Sequence, residues 1–238
     1  MARLFDMHVH TTRGSSDSNL SPEEMVLEAE RLGFMGICIT EHSGPWDQHE
    51  FRSFAAKHNQ VLVRAMEVET NMGHILAFGL DSYQPGISDA RVLRKAADSA
   101  GGFIISAHPF RGLHSSLPSR KPLLYSNEGE VPTSVEEATL HPVFGLVDAV
   151  EVANGGTADA ENRFALDVAK ELGLRVTGGS DAHSLHGVGH CITVFDGEVN
   201  SQEEFMNALR AGSFYPAVLS PNNKSSEGSW VPIPEPFS

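Results

Sequence analysis

The chain has 238 residues, 40% of them hydrophobic and 20% charged, which predicts one large or two small folded domains and excludes a disordered chain. Its net charge of −14 comes without any basic run, so a broad nucleic-acid-binding surface is not expected. No apolar stretch approaches the ~18 residues of a membrane-spanning helix. The chain has two cysteines, which is too few for a disulfide framework. It begins without the apolar run of a secretory signal. Both observations favour a cytoplasmic location.

Short β-branched runs alternate with helical patterns along the chain. The patterns predict strands at 4–8, 36–40, 61–68, 74–80, 103–107, 149–152, 175–179 and 191–195. They predict helices at 21–32, 47–58, 88–100, 157–172 and 201–211, two of which begin with the capping boxes Ser21/Glu24 and Ser201/Glu204. This alternation is typical of an α/β fold with a parallel sheet, and the length favours a closed or nearly closed barrel.

Two segments depart from the alternation. Residues 111–146 hold four prolines and no sustained period, which predicts an insertion loop or lid. Residues 216–238 are rich in Pro, Ser and Asn, which predicts an extended or partly disordered tail. We therefore expect a single barrel domain at 1–215.

The chain contains 12 histidines, and many follow predicted strands, where catalytic groups of such folds lie. His8 and His10 are two residues apart, so both imidazoles point to the same side of an extended strand. Asp181 and His183 repeat that spacing, and a carboxylate such as Glu67 can bridge two cations. Imidazole together with carboxylate suits Zn, Mn or Fe rather than Ca.

Taken in order, these motifs resemble those of the PHP (polymerase and histidinol phosphatase) family. The motifs are Asp6-x-His8-x-His10, Asp17, Thr40-Glu41-His42, Glu67, His74, Ala107-His108-Pro109 and Gly179-Ser180-Asp181-Ala182-His183. Thr40-Glu41-His42 departs from the Thr-Asp-His common in that family. The resemblance implies a distorted seven-stranded (β/α) barrel that holds two or three divalent ions of Mn, Fe or Zn.

Carried over residue by residue, the resemblance implies three metal sites. The first is formed by His8, His10, Glu67 and Asp181. The second is formed by Glu67, His74 and His108, with Glu67 as the bridge. The third is formed by Asp17, His42 and His183.

Several divalent ions at close range suit the hydrolysis of a phosphate ester by a metal-bridging hydroxide. We assign Glu67, Asp181, His183 and Arg111 to this reaction, with Arg111 as a phosphate clamp because guanidinium matches phosphate in a bidentate way. The expected partner is a small phosphorylated substrate or a short oligonucleotide. Duplex nucleic acid and membranes are not expected as partners.

Three alternatives stay open at this point. In the first, the chain is an exonuclease or phosphatase that acts on short oligonucleotides. In the second, it is a metal-binding regulatory domain without catalytic activity. The third is an amidohydrolase, which also uses His-x-His on the first strand but normally adds a bridging lysine. A panel of phosphate esters tested with Mn and Zn distinguishes these alternatives.

Overall fold

A computed structural model describes residues 3–115, 122–126, 130–220 and 229–233 of the chain. These residues form an α/β fold around one ten-stranded sheet. The strands are β1 Arg3–Val9, β2 Gly36–Glu41, β3 Val61–Thr70, β4 Gly73–Phe78, β5 Phe103–Ser106, β6 Ala149–Asn154, β7 Arg175–Gly179, β8 Cys191–Phe195, β9 Phe214–Leu219 and β10 Trp230–Pro232. The helices are α1 Pro22–Leu32, α2 Gln48–Ala55, α3 Ala90–Ala100, α4 Val135–Thr139, α5 Asp159–Leu172 and α6 Gln202–Ala211.

Helices α1 and α6 begin where the two capping boxes predict. At α1, the Ser21 hydroxyl accepts from the Glu24 N–H, and the Glu24 carboxylate accepts from the Ser21 N–H at 3.0 Å. This reciprocal pair satisfies two amide donors that the first helical turn leaves free. Gly33 ends the helix in the left-handed region at φ 76°, where a side chain would add strain.

The sheet is mixed, with the order β10-β9-β8-β1-β2-β3-β4-β5-β6-β7. Strands β1 to β3 are parallel, as are β5 to β7, but β4 is antiparallel to both of its neighbours. Strands β8, β9 and β10 extend the sheet beyond β1 in antiparallel pairs. The α/β class is thus confirmed, whereas the structure has ten strands in place of a parallel, seven-stranded (β/α) barrel. The tight turn between β3 and β4 is too short for a parallel crossover.

The sheet curls so that the end of β7 returns to the end of β1. The Asp181 N–H donates to the His8 carbonyl at 2.7 Å, and the His10 N–H donates to the Ala182 carbonyl at 3.0 Å. Gly179 allows this approach, because a Cβ there would lie 2.4 Å from the Cβ of His8. The loops that carry the candidate ligands therefore meet at one edge of the sheet.

The described part of residues 111–146 contains regular structure, whereas the sequence predicts an insertion loop or lid there. This part includes helix α4 and two short 3-10 helices, and Leu124, Tyr125 and Val143 are buried in the same core as Val150 and Val168. Apolar side chains at these positions hold the segment against the sheet. Residues 116–121 and 127–129 lie outside the described residues.

The predicted tail also departs from expectation. Residues 216–219 belong to β9 and residues 230–232 to β10, so the expected boundary at 215 falls inside a strand. Trp230 packs against Phe34 with ring centroids 5.2 Å apart, and its indole N–H donates to the Gly189 carbonyl. The described residues of this stretch are therefore part of the sheet. The predicted partial disorder at 221–228 and 234–238 lies outside the described residues.

Among the described helices, none is both long enough and apolar enough to cross a membrane.

Candidate metal centre

The structure brings all nine predicted ligands together at the edge where β1, β2, β3, β5 and β7 end. The strand β4 joins them from the other direction, because it is antiparallel and begins at this edge, which places His74 beside Glu67. The nine residues are His8, His10, Asp17, His42, Glu67, His74, His108, Asp181 and His183. Four of them are buried (His8, His10, Glu67 and His108), and four are half-buried (His42, His74, Asp181 and His183). The side chain of Asp17 is 58% exposed.

The first cluster contains His8, His10, Glu67 and Asp181, whose four ligand atoms all lie within 4.8 Å of one another. The two Nε2 atoms are 3.0 Å apart. Each Nε2 lies 3.3–3.4 Å from Glu67 Oε2 and from Asp181 Oδ1. A regular tetrahedron with such edges has its centre about 1.8–2.1 Å from every corner, close to the roughly 2.0–2.2 Å of Zn–N and Zn–O bonds. The donor set therefore fits a divalent ion.

The second cluster lies on the other side of the Glu67 carboxylate. Glu67 Oε1 is 2.8 Å from His74 Nδ1 and 2.9 Å from His108 Nε2. Its other oxygen, Oε2, faces the first cluster and also lies 3.3 Å from His42 Nδ1. One carboxylate thus presents one oxygen to each cluster, as a bridging ligand does.

A third group surrounds Asp17. Its Oδ2 lies 3.5 Å from His42 Nε2 and 3.3 Å from His183 Nε2. The other ring nitrogen of His183 lies 2.9 Å from the Asp181 carbonyl, to which it donates. In neutral His183, Nε2 therefore carries a lone pair towards a carboxylate, which is the arrangement a cation stabilises. His10 stacks between His42 and His183 at centroid distances of 4.3 Å and links this group to the first cluster.

The electrostatics of the site favour positive charge. Burial raises the pKa of Glu67, but the surrounding imidazoles, led by His8, outweigh burial and hold this pKa well below its ordinary value. Burial likewise lowers the pKa of His8, but the nearby carboxylates, led by Asp181, hold it well above its ordinary value. The carboxylates therefore stay ionised in a buried place, which requires a cation close by.

Two candidate ligands have strained backbones. His108 has φ 30° and Asp181 has φ 55°, and they are the only non-glycine residues with positive φ among the described positions. Such conformations cost on the order of 1–3 kcal/mol each and tend to occur at functional sites. Here they turn both side chains towards Glu67 and the first-strand histidines.

Arg111 lies at the rim of the first cluster. Its Nη2 donates to Asp181 Oδ2 and, at 2.7 Å, to Asn154 Oδ1, while its Nε donates to Thr157 at 3.0 Å. The side chain is 35% exposed. A cation from the loop after β5 is thus held next to a metal ligand and still reaches solvent.

Glu151 of β6 also belongs to the site, although it is not among the residues predicted from the sequence, and it is only 1% exposed. Its Oε1 lies 2.9 Å from His8 Nδ1, and its Oε2 accepts from the His108 N–H at 2.9 Å and from the Asn154 amide at 2.8 Å. The available signal was a lone carboxylate inside the otherwise apolar run Ala-Val-Glu-Val-Ala. Asn154 was also missed, and its signal is only its position at the end of β6.

Comparison with protein families gives two matches. The PHP domain model matches residues 6–130, and the model of a PHP-associated region matches residues 159–214. The family resemblance drawn from the motifs is thereby confirmed. A search of the curated proteins gave no match.

Several solved structures share the fold. A two-domain protein of Bacteroides vulgatus, described as containing a PHP-like metal-dependent phosphoesterase, is 21% identical with a TM-score of 0.64. The match covers 91% of this chain and 64% of that protein, so this chain spans under two thirds of its length. A protein of Bifidobacterium adolescentis, described as a metal-dependent phosphoesterase, is 16% identical with a TM-score of 0.58 over 87% of this chain and 96% of that one.

The expectation that excluded duplex nucleic acid is wrong. Endonuclease Q, whose structure holds a 27-mer duplex with an abasic lesion at the active site, matches this chain with a TM-score of 0.55 and 16% identity. The match covers 89% of this chain and 57% of that protein. A fold of this type therefore accommodates a duplex. The expectation failed because it used only overall charge and the lack of basic runs, which do not describe the active-site surface.

Proposed function

This chain belongs to the PHP domain family, and we propose that it is a metal-dependent hydrolase of phosphate esters. The observation that carries the proposal is the convergence of nine imidazole and carboxylate ligands in three adjoining groups, joined by the two oxygens of Glu67. Neutral imidazole with carboxylate suits Zn, Mn and Fe. Divalent ions bound there would activate water at neutral pH and neutralise charge on the phosphoryl oxygens.

The residues of the chain have distinct roles in this proposal. His8, His10, Glu67 and Asp181 hold one ion, and Glu67 shares a second with His74 and His108. Asp17, His42 and His183 hold a third ion at the more exposed side of the site, where a substrate arrives. The side chain of His183 is 31% exposed, so it can also contact the substrate.

Arg111 orients the phosphoryl group in this proposal. Its guanidinium is partly exposed and lies beside Asp181, which places a planar set of donors next to the first cluster. Guanidinium donors match two phosphate oxygens at once. The contact with Asp181 holds the guanidinium at the rim before the substrate arrives.

Chelation tests the metal requirement. Protein purified without chelator should carry two or three divalent ions per chain by elemental analysis, and dialysis against a chelator should abolish turnover of phosphate esters. Readdition of Mn or Zn should restore it. Turnover that persists with less than one ion per chain would refute the proposal.

The substrate panel tests the reaction. It should contain nucleotides, sugar phosphates, phosphotyrosine, short single-stranded oligonucleotides, an abasic duplex and a simple amide. Hydrolysis of at least one phosphate ester, and none of the amide, is the expected result. Hydrolysis of the amide alone would instead identify an amidohydrolase.

Arg111→Ala should lower kcat/KM about 10- to 1,000-fold on the best substrate, as expected for the loss of a charge-assisted contact to a phosphoryl group. Metal content should not fall, because removing a cation beside Asp181 reduces repulsion of the bound ion. Arg111→Lys keeps the charge but not the planar donors, so its kcat/KM should lie between those of the wild type and of Arg111→Ala. A variant with wild-type kcat/KM, or one that loses its metal, would remove Arg111 from the proposed role.

A further inference from the structure

Two buried carboxylates outside the ligand set lie behind the first-strand histidines. We propose that Glu151 and Glu41 are positioning residues that fix the ring tautomers of His8 and His10, the latter through Ser15. The inference rests on the metal centre proposed above. It concerns side chains that hold the ligands in place without binding the ion or the substrate themselves.

Glu151 acts on His8 directly. Its Oε1 lies 2.9 Å from His8 Nδ1, and both residues are fully or almost fully buried. A carboxylate oxygen only accepts hydrogen bonds, so His8 carries its proton on Nδ1 and leaves the lone pair on Nε2. The other oxygen, Oε2, accepts from the His108 N–H and from the Asn154 amide. These two donors fix the orientation of the Glu151 carboxylate.

Glu41 acts on His10 through one hydroxyl group. The Ser15 hydroxyl donates to Glu41 Oε2 at 2.6 Å, so its oxygen acts as an acceptor. One lone pair accepts from the His42 N–H at 3.2 Å, and the other accepts from His10 Nδ1, also 3.2 Å away. Glu41 also accepts from the Thr11 N–H, the Thr11 hydroxyl and the Trp46 indole. Because the Glu41 carboxylate only accepts hydrogen bonds, the Ser15 hydroxyl must be the donor in its contact with Glu41. His10 is thereby held with its proton on Nδ1.

The contacts of Glu151 with His8 and of Ser15 with His10 place the proton of both rings on Nδ1. In the neutral rings, both Nε2 atoms carry lone pairs, and they face each other at 3.0 Å with two carboxylate oxygens close by. Four acceptors at such distances repel one another unless a cation lies among them. A carboxylate behind a ligating imidazole fixes its tautomer and raises its basicity, and removal of such a partner typically costs about 10- to 100-fold in metal affinity.

Glu151→Gln tests the proposal with almost no change of shape. The glutamine oxygen is expected to stay with the two donors, His108 N–H and the Asn154 amide. Its NH2 group then faces His8 Nδ1, which must accept, so the proton moves to Nε2 and blocks metal binding there. A purely structural role would not predict this reversal, because the packing is unchanged.

The measurements are zinc affinity of the full chain by chelator competition and histidine ring spectra of the zinc-loaded protein labelled with nitrogen-15. In the wild type, His8 and His10 should both be protonated on Nδ1. In Glu151→Gln, the His8 Nδ1 proton should be absent and zinc affinity should fall about 10- to 100-fold. Glu161→Gln is the matched control, since Glu161 is also buried and accepts from the Gly112 and His114 N–H groups. Its zinc affinity should equal that of the wild type.

Ser15→Ala supplies an independent test if the glutamine variant does not fold. It should weaken zinc binding about tenfold, because His10 loses the acceptor that holds its Nδ1 proton. Wild-type zinc affinity in either folded variant, or an unchanged His8 proton in Glu151→Gln, would overturn the proposal. Neither readout requires a substrate. A chain that binds zinc as described but hydrolyses no phosphate ester would refute the proposed function and leave this inference standing.

Discussion

Glu67→Ala should abolish hydrolysis and remove more than one metal ion from the chain. Glu67 Oε1 contacts His74 and His108, while Oε2 faces His8, His10 and His42. One substitution therefore takes an anionic ligand from two adjoining sites. It also leaves five imidazoles crowded together without the carboxylate that lies between them. We expect turnover to fall by more than about 100-fold, the upper range for loss of an outer-sphere partner, because a direct ligand is lost.

Asp17→Ala is the comparison variant for Glu67→Ala. Among the nine candidate ligands, Asp17 has the most exposed side chain. Its described ion-pair partners, His42 and His183, both belong to the third group. Its removal should reduce metal content by at most one ion and lower turnover less than Glu67→Ala does. Elemental analysis and kcat at saturating Mn or Zn measure both effects. Near-normal turnover in Glu67→Ala would show that Glu67 is not a bridge.

The ligand set was predictable because it follows from local rules. Strands of an α/β sheet end at one edge, and residues two apart in a strand point the same way. His8 and His10 follow both rules at the end of β1. Asp181 and His183 follow only the first, because they lie beyond the end of β7 and Asp181 has φ 55°. The division into three sets came from the family resemblance. The structure brings together the residues of the first two sets, and its third group is His10, His42 and His183, with Asp17 Oδ2 3.5 Å from His42 Nε2 and 3.3 Å from His183 Nε2.

The positioning residues were not predictable, because their contacts join distant parts of the chain. Glu151 meets His8 across 143 positions, and no periodicity or spacing reports such a contact. Glu41 was noticed only as a departure from the family pattern. Its function became visible when the loop after β1 placed Ser15 between Glu41 and His10.

The sequence patterns also did not predict the direction of β4 or the presence of β9 and β10. An apolar run of six residues gives no direction, and the antiparallel pairing of β4 follows from the length of the turn before it. Strand β10 is only three residues long and includes a proline, so it lacks the alternation that predicts a strand. Trp230 packs on Phe34, which lies between α1 and β2, so this contact joins residues far apart in the sequence.

Gly179→Ala should damage both the fold and the metal site. A Cβ at this position would lie 2.4 Å from His8 Cβ, 2.9 Å from the His8 backbone nitrogen and 2.9 Å from Glu151 Oε1. These groups are buried and hydrogen-bonded, so β7 must move away from β1. That movement disturbs the Asp181-to-His8 backbone hydrogen bond and the position of Asp181 in the first cluster.

We expect the substitution to cost about 1–3 kcal/mol of unfolding free energy, the usual range for an overpacked core. For a chain of this size each kcal/mol lowers Tm by about 2–4 °C. Zinc affinity should fall as well, because three of the four residues of the first cluster, His8, His10 and Asp181, lie on or directly after the two strands that separate. Gly197→Ala is the control, since its added Cβ has no described atom within 4 Å, and it should leave Tm unchanged or raise it slightly. A Gly179→Ala protein with the Tm and zinc affinity of the control would show that close contact between β7 and β1 does not shape the site.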